Sequence, residues 1–266
     1  MNLQYEFRHV AESHFSTLPN PVERQFAAEQ WLMQQFLEAE NRSGWFAEIG
    51  ANDPVCFSVT YSFEKLGWKG MLVEPQPDLA ERCRCERPES VTVEAACGPT
   101  GGPSKGKLSI PEKLGHASMI GSNARVVSVL DKPIRTIEVD IRTLDEMLEA
   151  YAPSSIDLIS IDVEGFTTQV LDGFSIKRWR PRLLLIEDHL LDFSILRHRS
   201  LREAGYRMAK RTCGNSWFVP REAIRSVPVT AAERRQVRSK LARIPTRLMT
   251  RRIRDAFRRL RAVGRK

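Results

Sequence analysis

Short apolar runs that alternate with amphipathic stretches fill most of the chain. Apolar residues at near-helical spacing predict a helix over Val22–Glu40, and Trp45–Ile49 and Met71–Glu74 predict the first two strands. The most apolar runs, Ser155–Asp162 and Arg182–Glu187, predict buried central strands. Because parallel strands need crossover connections, this alternation of strands and helices indicates an α/β fold with a doubly wound, mostly parallel sheet.

The pattern changes near the end of this region. Tyr206–Arg211 and Asn215–Val219 are typical of the two strands of a hairpin, so we expect an antiparallel edge on the sheet. We therefore divide the chain into a helical lead-in at 1–44, one domain at 45–220 and a basic tail, helical or disordered, at 221–266.

The turn after the first predicted strand and the acid after the second are typical of a nucleotide-binding sheet. Gly50 lets the backbone approach a ligand, and a helix predicted over Val55–Leu66 would point its first N–H groups at that ligand. Glu74 follows at about the 20-residue spacing that places an acid on ribose hydroxyls. The turn lacks the full G-x-G-x-x-G pattern, so these residues alone leave an unrelated structural role open.

Acids follow nearly every predicted strand, and the carboxyl ends of parallel strands meet at one rim of the sheet. A single acid there is often structural, whereas acids from several strand ends favour a site. No G-K-[ST] motif is present, which argues against phosphoryl transfer. The residues at these ends are Glu48, Gly50, Glu74, Ala95–Gly98, Asp162, Glu164, Gly165, Glu187, Asp188 and His189.

Five segments carry a resemblance to a known family. In chain order they are FAEIGAND, LGWKGMLVEPQPD, IRTLDEML, IDLISIDVEGFTTQVLDGF and LLLIEDH. In these segments the chain resembles the FkbM-type methyltransferases over Trp45–Pro220. Those proteins are S-adenosylmethionine-dependent enzymes, mostly O-methyltransferases. The resemblance implies a Rossmann-like class I methyltransferase fold with a seven-stranded, mostly parallel doubly wound sheet and an antiparallel terminal hairpin.

The resemblance also implies S-adenosyl-L-methionine as the cofactor and assigns roles to the strand ends. Glu48, Gly50 and Asn52 would hold its amino-acid half, Glu74 its ribose hydroxyls, and Ala95 and Ala96 would flank the adenine. Asp162, with Glu164 and Gly165, would lie where the methyl group meets the acceptor.

One residue departs from the family pattern. Pro54 stands where the family usually has glycine, and proline fixes φ and removes a backbone donor. If the turn needs a positive φ or a donated N–H at that position, cofactor binding is weakened. If Pro54 begins a helix, the missing N–H has no effect.

Methyl transfer to an alcohol needs an aligned acceptor and a base that takes the hydroxyl proton. The candidate catalytic residues are Asp162 and His189, followed by His116 in the small-residue loop Gly115–Asn123. Asp162, Glu187 and His189 are also candidate ligands for a divalent ion. Three ligands from two strand ends are a weak pattern for a metal, so we expect none.

Charge is distributed unevenly along the chain. The net charge is +8, but residues 221–266 contain 16 Lys+Arg and 3 Asp+Glu, a net +13, which leaves −5 on the rest. Within this tail, Thr246–Arg261 combines a cationic face with an apolar stripe, so an anionic membrane surface is a candidate partner for residues 230–266. Nucleic-acid phosphates are a second alternative, disfavoured by the scarcity of aromatic residues. A solvated tail or a helix packed on the domain is the third.

No apolar run approaches the ~20 residues that span a bilayer, and the first residues lack a signal-peptide pattern. The five cysteines have no metal-ligand spacing, so we expect reduced thiols. These features predict a cytoplasmic protein, with the inner face of the membrane as an alternative location for the tail. The predicted function is O-methylation of a sugar, glycan or secondary metabolite. The alternatives are a nucleic-acid methyltransferase that uses the tail and a non-catalytic binding protein.

Overall fold

The structure is a computed structural model that describes residues 21–56, 58–111, 118–119, 134–188, 193–212 and 214–242. Within them the strands are β1 (Trp45–Ile49), β2 (Lys69–Val73), β3 (Val91–Val93), β4 (Ala96–Gly98), β5 (Lys105–Pro111), β6 (Ser118–Met119), β7 (Ile134–Thr143), β8 (Leu158–Ile161), β9 (Leu183–Glu187), β10 (Tyr206–Thr212) and β11 (Asn215–Pro220). The helices there are α1 (Pro21–Leu37), α2 (Tyr61–Lys65), α3 (Pro77–Glu86), α4 (Leu144–Tyr151), α5 (Thr167–Asp172), α6 (Ile176–Trp179), α7 (Phe193–Leu196), α8 (Arg199–Glu203) and α9 (Ala231–Ala242), with a 3₁₀ helix at Arg221–Arg225.

Seven strands form the main sheet in the order β10-β11-β9-β8-β1-β2-β3. The neighbours from β9 to β3 pair in parallel, whereas β11 pairs antiparallel with both β9 and β10. The sheet therefore confirms the predicted mostly parallel architecture with an antiparallel terminal hairpin. The first strand lies in the middle of the sheet, and its register sets Ile49 beside Val73 on one side and Ile161 on the other.

Apolar layers cover both faces of this sheet. On one face Ile49, Ile159 and Ile161 pack with residues of α4 and α5, and on the other Phe46 and Leu72 pack with residues of α1. All five residues of β1 are buried, as expected for a strand that is covered on both sides. This burial explains why the central strands are continuous apolar runs in the sequence.

A smaller sheet, with the order β4-β7-β5-β6, lies outside this core. Its long strands β5 and β7 pair antiparallel. Strand β7 leads directly into α4, where Thr143 and Glu146 form a capping box.

One predicted helix is shorter in the structure. The helix predicted over Val55–Leu66 contains only Tyr61–Lys65. Before it, the side chains of Asp53 and Ser58 accept hydrogen bonds from the amides of Cys56 and Thr60, and these local bonds compete with those of a helix. Between β9 and β10 the structure has two short helices, α7 and α8, and the third strand ends at Val93.

The segments before and after the domain also pack on it. The buried carboxylate of Glu29 in α1 accepts hydrogen bonds from Thr212, Asn215 and Trp217 of the hairpin. Helix α9 contacts β10, and Val237 in it belongs to the buried core. Part of the predicted tail is thus a helix packed on the sheet, whereas 243–266 lies outside the described residues. Within the described chain, every helix is too short or too polar to cross a bilayer.

Candidate functional site

The turn after β1 is fixed against the ends of both neighbouring strands. The amides of Gly50 and Ala51 donate to the carbonyl of Val73 at 2.9 and 3.1 Å, and the amide of Asp162 donates to Ile49 at 2.9 Å. Gly50 has a φ of 85°, and a Cβ atom there would lie 1.8 Å from the Asp162 carbonyl oxygen. Only glycine therefore fits between the ends of β1 and β8.

Glu74, directly after β2, faces this turn. Its carboxylate accepts hydrogen bonds from the amides of Asn52 and Gln76, both at 2.9 Å. Glu74 is only 3% exposed, and this burial raises the pKa of its carboxyl group, whereas the two hydrogen bonds from the amides lower it. A carboxylate has about four acceptor positions, so the two bonds leave acceptor capacity for ribose hydroxyls. The position and chemistry of Glu74 fit the predicted ribose contact.

Glu48 contributes to the site through the loop that follows the turn. Its buried carboxylate accepts hydrogen bonds from the hydroxyls of Ser58 and Thr60 at 2.6 and 2.5 Å and from the amide of Val59 at 3.0 Å. Burial raises the pKa of Glu48, and these hydrogen bonds oppose that shift. These three hydrogen bonds take up most of the acceptor capacity of Glu48, so the geometry favours a role in shaping the loop over direct contact with a ligand.

Arg87, which the sequence reasoning did not single out, holds the same loop from the other side. Its fully buried guanidinium donates to Glu64 at 2.8 Å, to the carbonyl of Pro54 at 3.0 Å and to the hydroxyl of Ser58 at 3.0 Å. It also lies 3.9 Å from Glu48. An arginine at the end of a charged helix gives no sequence signal of burial, since most such residues are exposed.

Pro54 occupies a tight turn that suits proline. The carboxylate of Asp53 accepts hydrogen bonds from the amides of Val55 and Cys56, at 3.0 and 2.8 Å. The positive φ values of the turn fall on Gly50 and Asn52. Aspartate followed by proline is a common start of a tight turn, because the proline φ is already correct there. This backbone therefore requires neither a positive φ nor an amide hydrogen bond from Pro54.

Three carboxylates converge beside the turn, at the ends of β8 and β9. Ligand atoms of Asp162, Glu164 and Glu187 all lie within 4.8 Å of one another. Burial, together with the charges of Glu164 and Asp188, raises the pKa of Glu187, while a hydrogen bond with Asp162 opposes that shift. Oxygen atoms of this kind are also what hard cations prefer, and the expectation that no metal binds stays a prediction.

The remaining candidates divide into two groups. Ala95 and Ala96 are buried just after β3, where the amides of Glu74 and Ala95 both donate to the carbonyl of Val93 at 3.1 Å. His116 and His189 lie outside the described residues. The structure thus joins Asn52 to Glu74 and Gly50 to the end of β2 by hydrogen bonds, and it brings Asp162 against Gly50. These candidate assignments stay predictions.

The family described as Methyltransferase FkbM domain matches residues 48–208. The chain belongs to the FkbM methyltransferase family. The match runs from within β1 to within β10 and confirms the family, the class of S-adenosylmethionine-dependent methyltransferases and the predicted cofactor of this domain.

Solved structures with a similar fold have very different sequences. The FkbM methyltransferase from Methylobacillus flagellatus KT is 11% identical with a TM-score of 0.38, and the match covers 80% of this chain and 59% of that one. The N-terminal domain of human METTL16 in complex with SAH is 10% identical with a TM-score of 0.40, with 81% and 79% covered. The O-methyltransferase from Bacillus cereus in complex with SAH is 11% identical with a TM-score of 0.36, with 81% and 88% covered. No curated protein sequence matches the chain.

Proposed function

We propose that this FkbM-family protein transfers the methyl group of S-adenosyl-L-methionine to a hydroxyl oxygen of a sugar, glycan or other small metabolite. The observation that carries this proposal is the carboxylate cluster of Asp162, Glu164 and Glu187 beside the Gly50 turn. In this arrangement, carboxylates that could contact the acceptor lie next to the turn that is the candidate site for the cofactor.

The candidate cofactor side fits the polar half of this molecule. The Gly50 turn offers close backbone approach, and Glu74 offers a carboxylate with acceptor capacity for the ribose. When bound, the cofactor supplies a methyl group on a positively charged sulfonium. Negative charge on Asp162 and Glu187 would stabilise that cation, which favours placing the reacting centre at the ends of β1 and β8.

The acceptor hydroxyl must lose a proton during transfer, and we assign Asp162 as the base that takes it. The exposed position of Asp162 makes it accessible to an acceptor, and its hydrogen bond with Glu187 orients it. Burial and nearby charges raise the pKa of Glu187, so Glu187 holds a proton more readily than an isolated carboxylate does. Asp162, the exposed member of the pair, is therefore the one assigned to take the acceptor proton.

The charge of the cluster favours a class of acceptor. Carboxylate oxygens accept hydrogen bonds from hydroxyl groups, and sugars present several such groups. Phosphate groups would meet negative charge from all three acids. The cluster therefore favours a neutral polyhydroxylated acceptor over a nucleic acid, whose phosphates would lie close to these acids.

Calorimetry with S-adenosyl-L-methionine tests the cofactor site, and transfer of a labelled methyl group to fractionated metabolites and glycans tests the acceptor. We expect Glu74→Ala to abolish binding, whereas Glu89→Ala, an exposed acid 15 positions later in the sequence, binds like the wild type. Full binding by Glu74→Ala would overturn the ribose assignment. Methyl transfer to nucleic acid but to no hydroxyl-bearing small molecule or glycan would overturn the proposed acceptor.

A further inference from the structure

The hairpin edge of the sheet contains a cleft that shares no residue with the candidate methyl-transfer site. It has a volume of about 510 Å³ and is lined by residues of α7, α8, β10, β11, the 3₁₀ helix and α9, and of the 228–230 turn. Strand β10, which forms one wall, is the outermost strand of the sheet. This volume falls within the range of about 300–1,000 Å³ that is typical of small-molecule sites. We refer to it as the edge cleft.

Apolar side chains dominate the lining of the edge cleft. They include Leu196, Leu201, Met208 and Phe218, and aliphatic residues of the 3₁₀ helix and α9 complete the wall. Surfaces of this kind release water when they take up a hydrocarbon group, which is favourable by about 25 cal/mol per Å² of buried apolar area. The interior of the cleft therefore suits an alkyl chain.

All charged residues that line the cleft are arginines, namely Arg202, Arg207 and Arg234. Within the described part of the chain, none of the three forms an ion pair, and Arg207 donates only to the carbonyl of Tyr206 at 2.7 Å. Guanidinium groups bind carboxylates and phosphates through paired N–H donors. The cleft thus combines an apolar interior with cations that have no anionic partner among those residues.

The acids nearest in sequence are already paired with other cations. Glu203 pairs with Arg199 at 2.6 Å, Glu233 pairs with the buried Lys210 at 3.0 Å, and Glu222 pairs with Arg180. Among the residues that the structure describes, these pairings leave the arginines of the cleft without an acidic partner.

We infer that the edge cleft binds a single-chain amphiphile with an anionic head, a carboxylate or a phosphate. The alkyl chain occupies the apolar interior, and the head contacts Arg202, Arg207 and Arg234. A free inorganic anion would leave the apolar lining unused, and an uncharged lipid would leave the arginines unpaired. This inference does not depend on the proposed methyl transfer, because the two sites have no residue in common.

Calorimetry of the full-length protein with monomeric dodecyl phosphate and with dodecanoate tests the inference. We expect one bound molecule per chain for at least one of the two heads, and weaker binding as the chain is shortened to octyl, by about fourfold for each methylene that is buried. Inorganic phosphate and an uncharged dodecyl glycoside test the head and the chain separately, and each is expected to bind at least tenfold more weakly. Equal binding of either one would overturn the inference.

Substitutions locate the site. The triple variant Arg202→Gln, Arg207→Gln, Arg234→Gln is expected to bind at least tenfold more weakly, because each charge-assisted hydrogen bond to the head is lost. A control triple variant, Arg82→Gln, Arg84→Gln, Arg178→Gln, removes the same charge from surfaces outside the cleft and is expected to bind like the wild type. Thermal unfolding checks that both variants fold. Equal loss in both variants, or binding to anionic vesicles without binding to the monomeric amphiphile, would overturn the assignment.

Discussion

Gly50 and the carbonyl oxygen of Asp162 are so close that a Cβ atom on Gly50 would lie only 1.8 Å from that oxygen. Gly50 begins the candidate cofactor turn after β1, and Asp162 begins the carboxylate cluster after β8. The two halves of the candidate site are therefore in direct backbone contact. A shift of one strand end moves the other, so the distance between donor and acceptor depends on the packing of two neighbouring strands.

We predict that Gly50→Ala destabilises the protein more than Gly67→Ala does. Both glycines have a φ of 85°, but no atom lies within 4 Å of a Cβ on Gly67. The Gly67 variant therefore measures the cost of the positive φ alone, about 1–2 kcal/mol. At Gly50 the backbone must also move away from Asp162, so we expect a larger loss of unfolding free energy and weaker cofactor binding. Denaturant unfolding and calorimetry measure both effects, and equal losses in the two variants would contradict the contact.

Removal of the Arg87 guanidinium is expected to be severe. Arg87→Met leaves Glu48 and Glu64 buried without their cation and removes the contacts to Pro54 and Ser58. Breaking a buried ion pair in this way costs about 3–5 kcal/mol. Chemical denaturation measures this loss of unfolding free energy.

Arg84→Met is a matched control for this variant. Arg84 lies three residues earlier and pairs with Glu81 and Glu94 at the surface, where solvent screening limits the loss to about 1 kcal/mol or less. Arg87→Lys keeps a cation but has no planar fork, so we expect it to restore part of the stability. Similar unfolding free energies for Arg87→Met and Arg84→Met would show that the network does not hold the loop.

The mostly parallel architecture of the main sheet could be predicted from the sequence because burial on two faces leaves a strong pattern. The run of five buried residues from Trp45 to Ile49 and the acids after the strands are local features of the sequence. Since parallel strands end at one rim, those acids were expected to converge, and Asp162 and Glu187 do so.

The side chains that hold the loop of the candidate site in place could not be predicted in the same way. Glu48 was expected to hold a ligand. Its hydrogen bonds to Ser58 and Thr60 depend on a loop for which the sequence pattern predicts a helix. Arg87 reaches that loop from a different helix, and pairs so distant in sequence leave no local pattern. Whether Pro54 disturbs the turn could likewise be decided only from the backbone structure, because that structure places the positive φ on Asn52 and not on Pro54.

The attachment of α1 to the hairpin is expected to depend on pH. Burial raises the pKa of Glu29 above its usual value of 4.5, so the folded chain holds that proton more tightly than the unfolded chain. This contribution to stability is fully present below pH 4.5 and is lost as the pH rises through the raised pKa.

Glu29→Gln removes this titration. We therefore expect the unfolding free energy of the variant to rise relative to that of the wild type as the pH increases above 4.5, by at most about 1.4 kcal/mol per pH unit. Urea unfolding at a series of pH values measures the difference. A difference that stays constant from pH 4 to pH 8, about the range in which a raised carboxyl pKa falls, would contradict the assigned titration.

The carboxylate pair is expected to control the acidic limb of the pH–rate profile. If Asp162 is the base, Asp162→Asn lowers kcat by about 10²–10⁴-fold, whereas Asp172→Asn, an exposed acid at the end of α5, leaves kcat unchanged.

The charge of Glu164 helps to raise the pKa of Glu187, so Glu164→Gln is expected to move the apparent pKa of the pair to lower pH. Initial rates at saturating cofactor measure both effects. Retention of kcat by Asp162→Asn would return the role of base to His189 or His116, and an unmoved acidic limb in Glu164→Gln would mean that a group outside the cluster takes the acceptor proton.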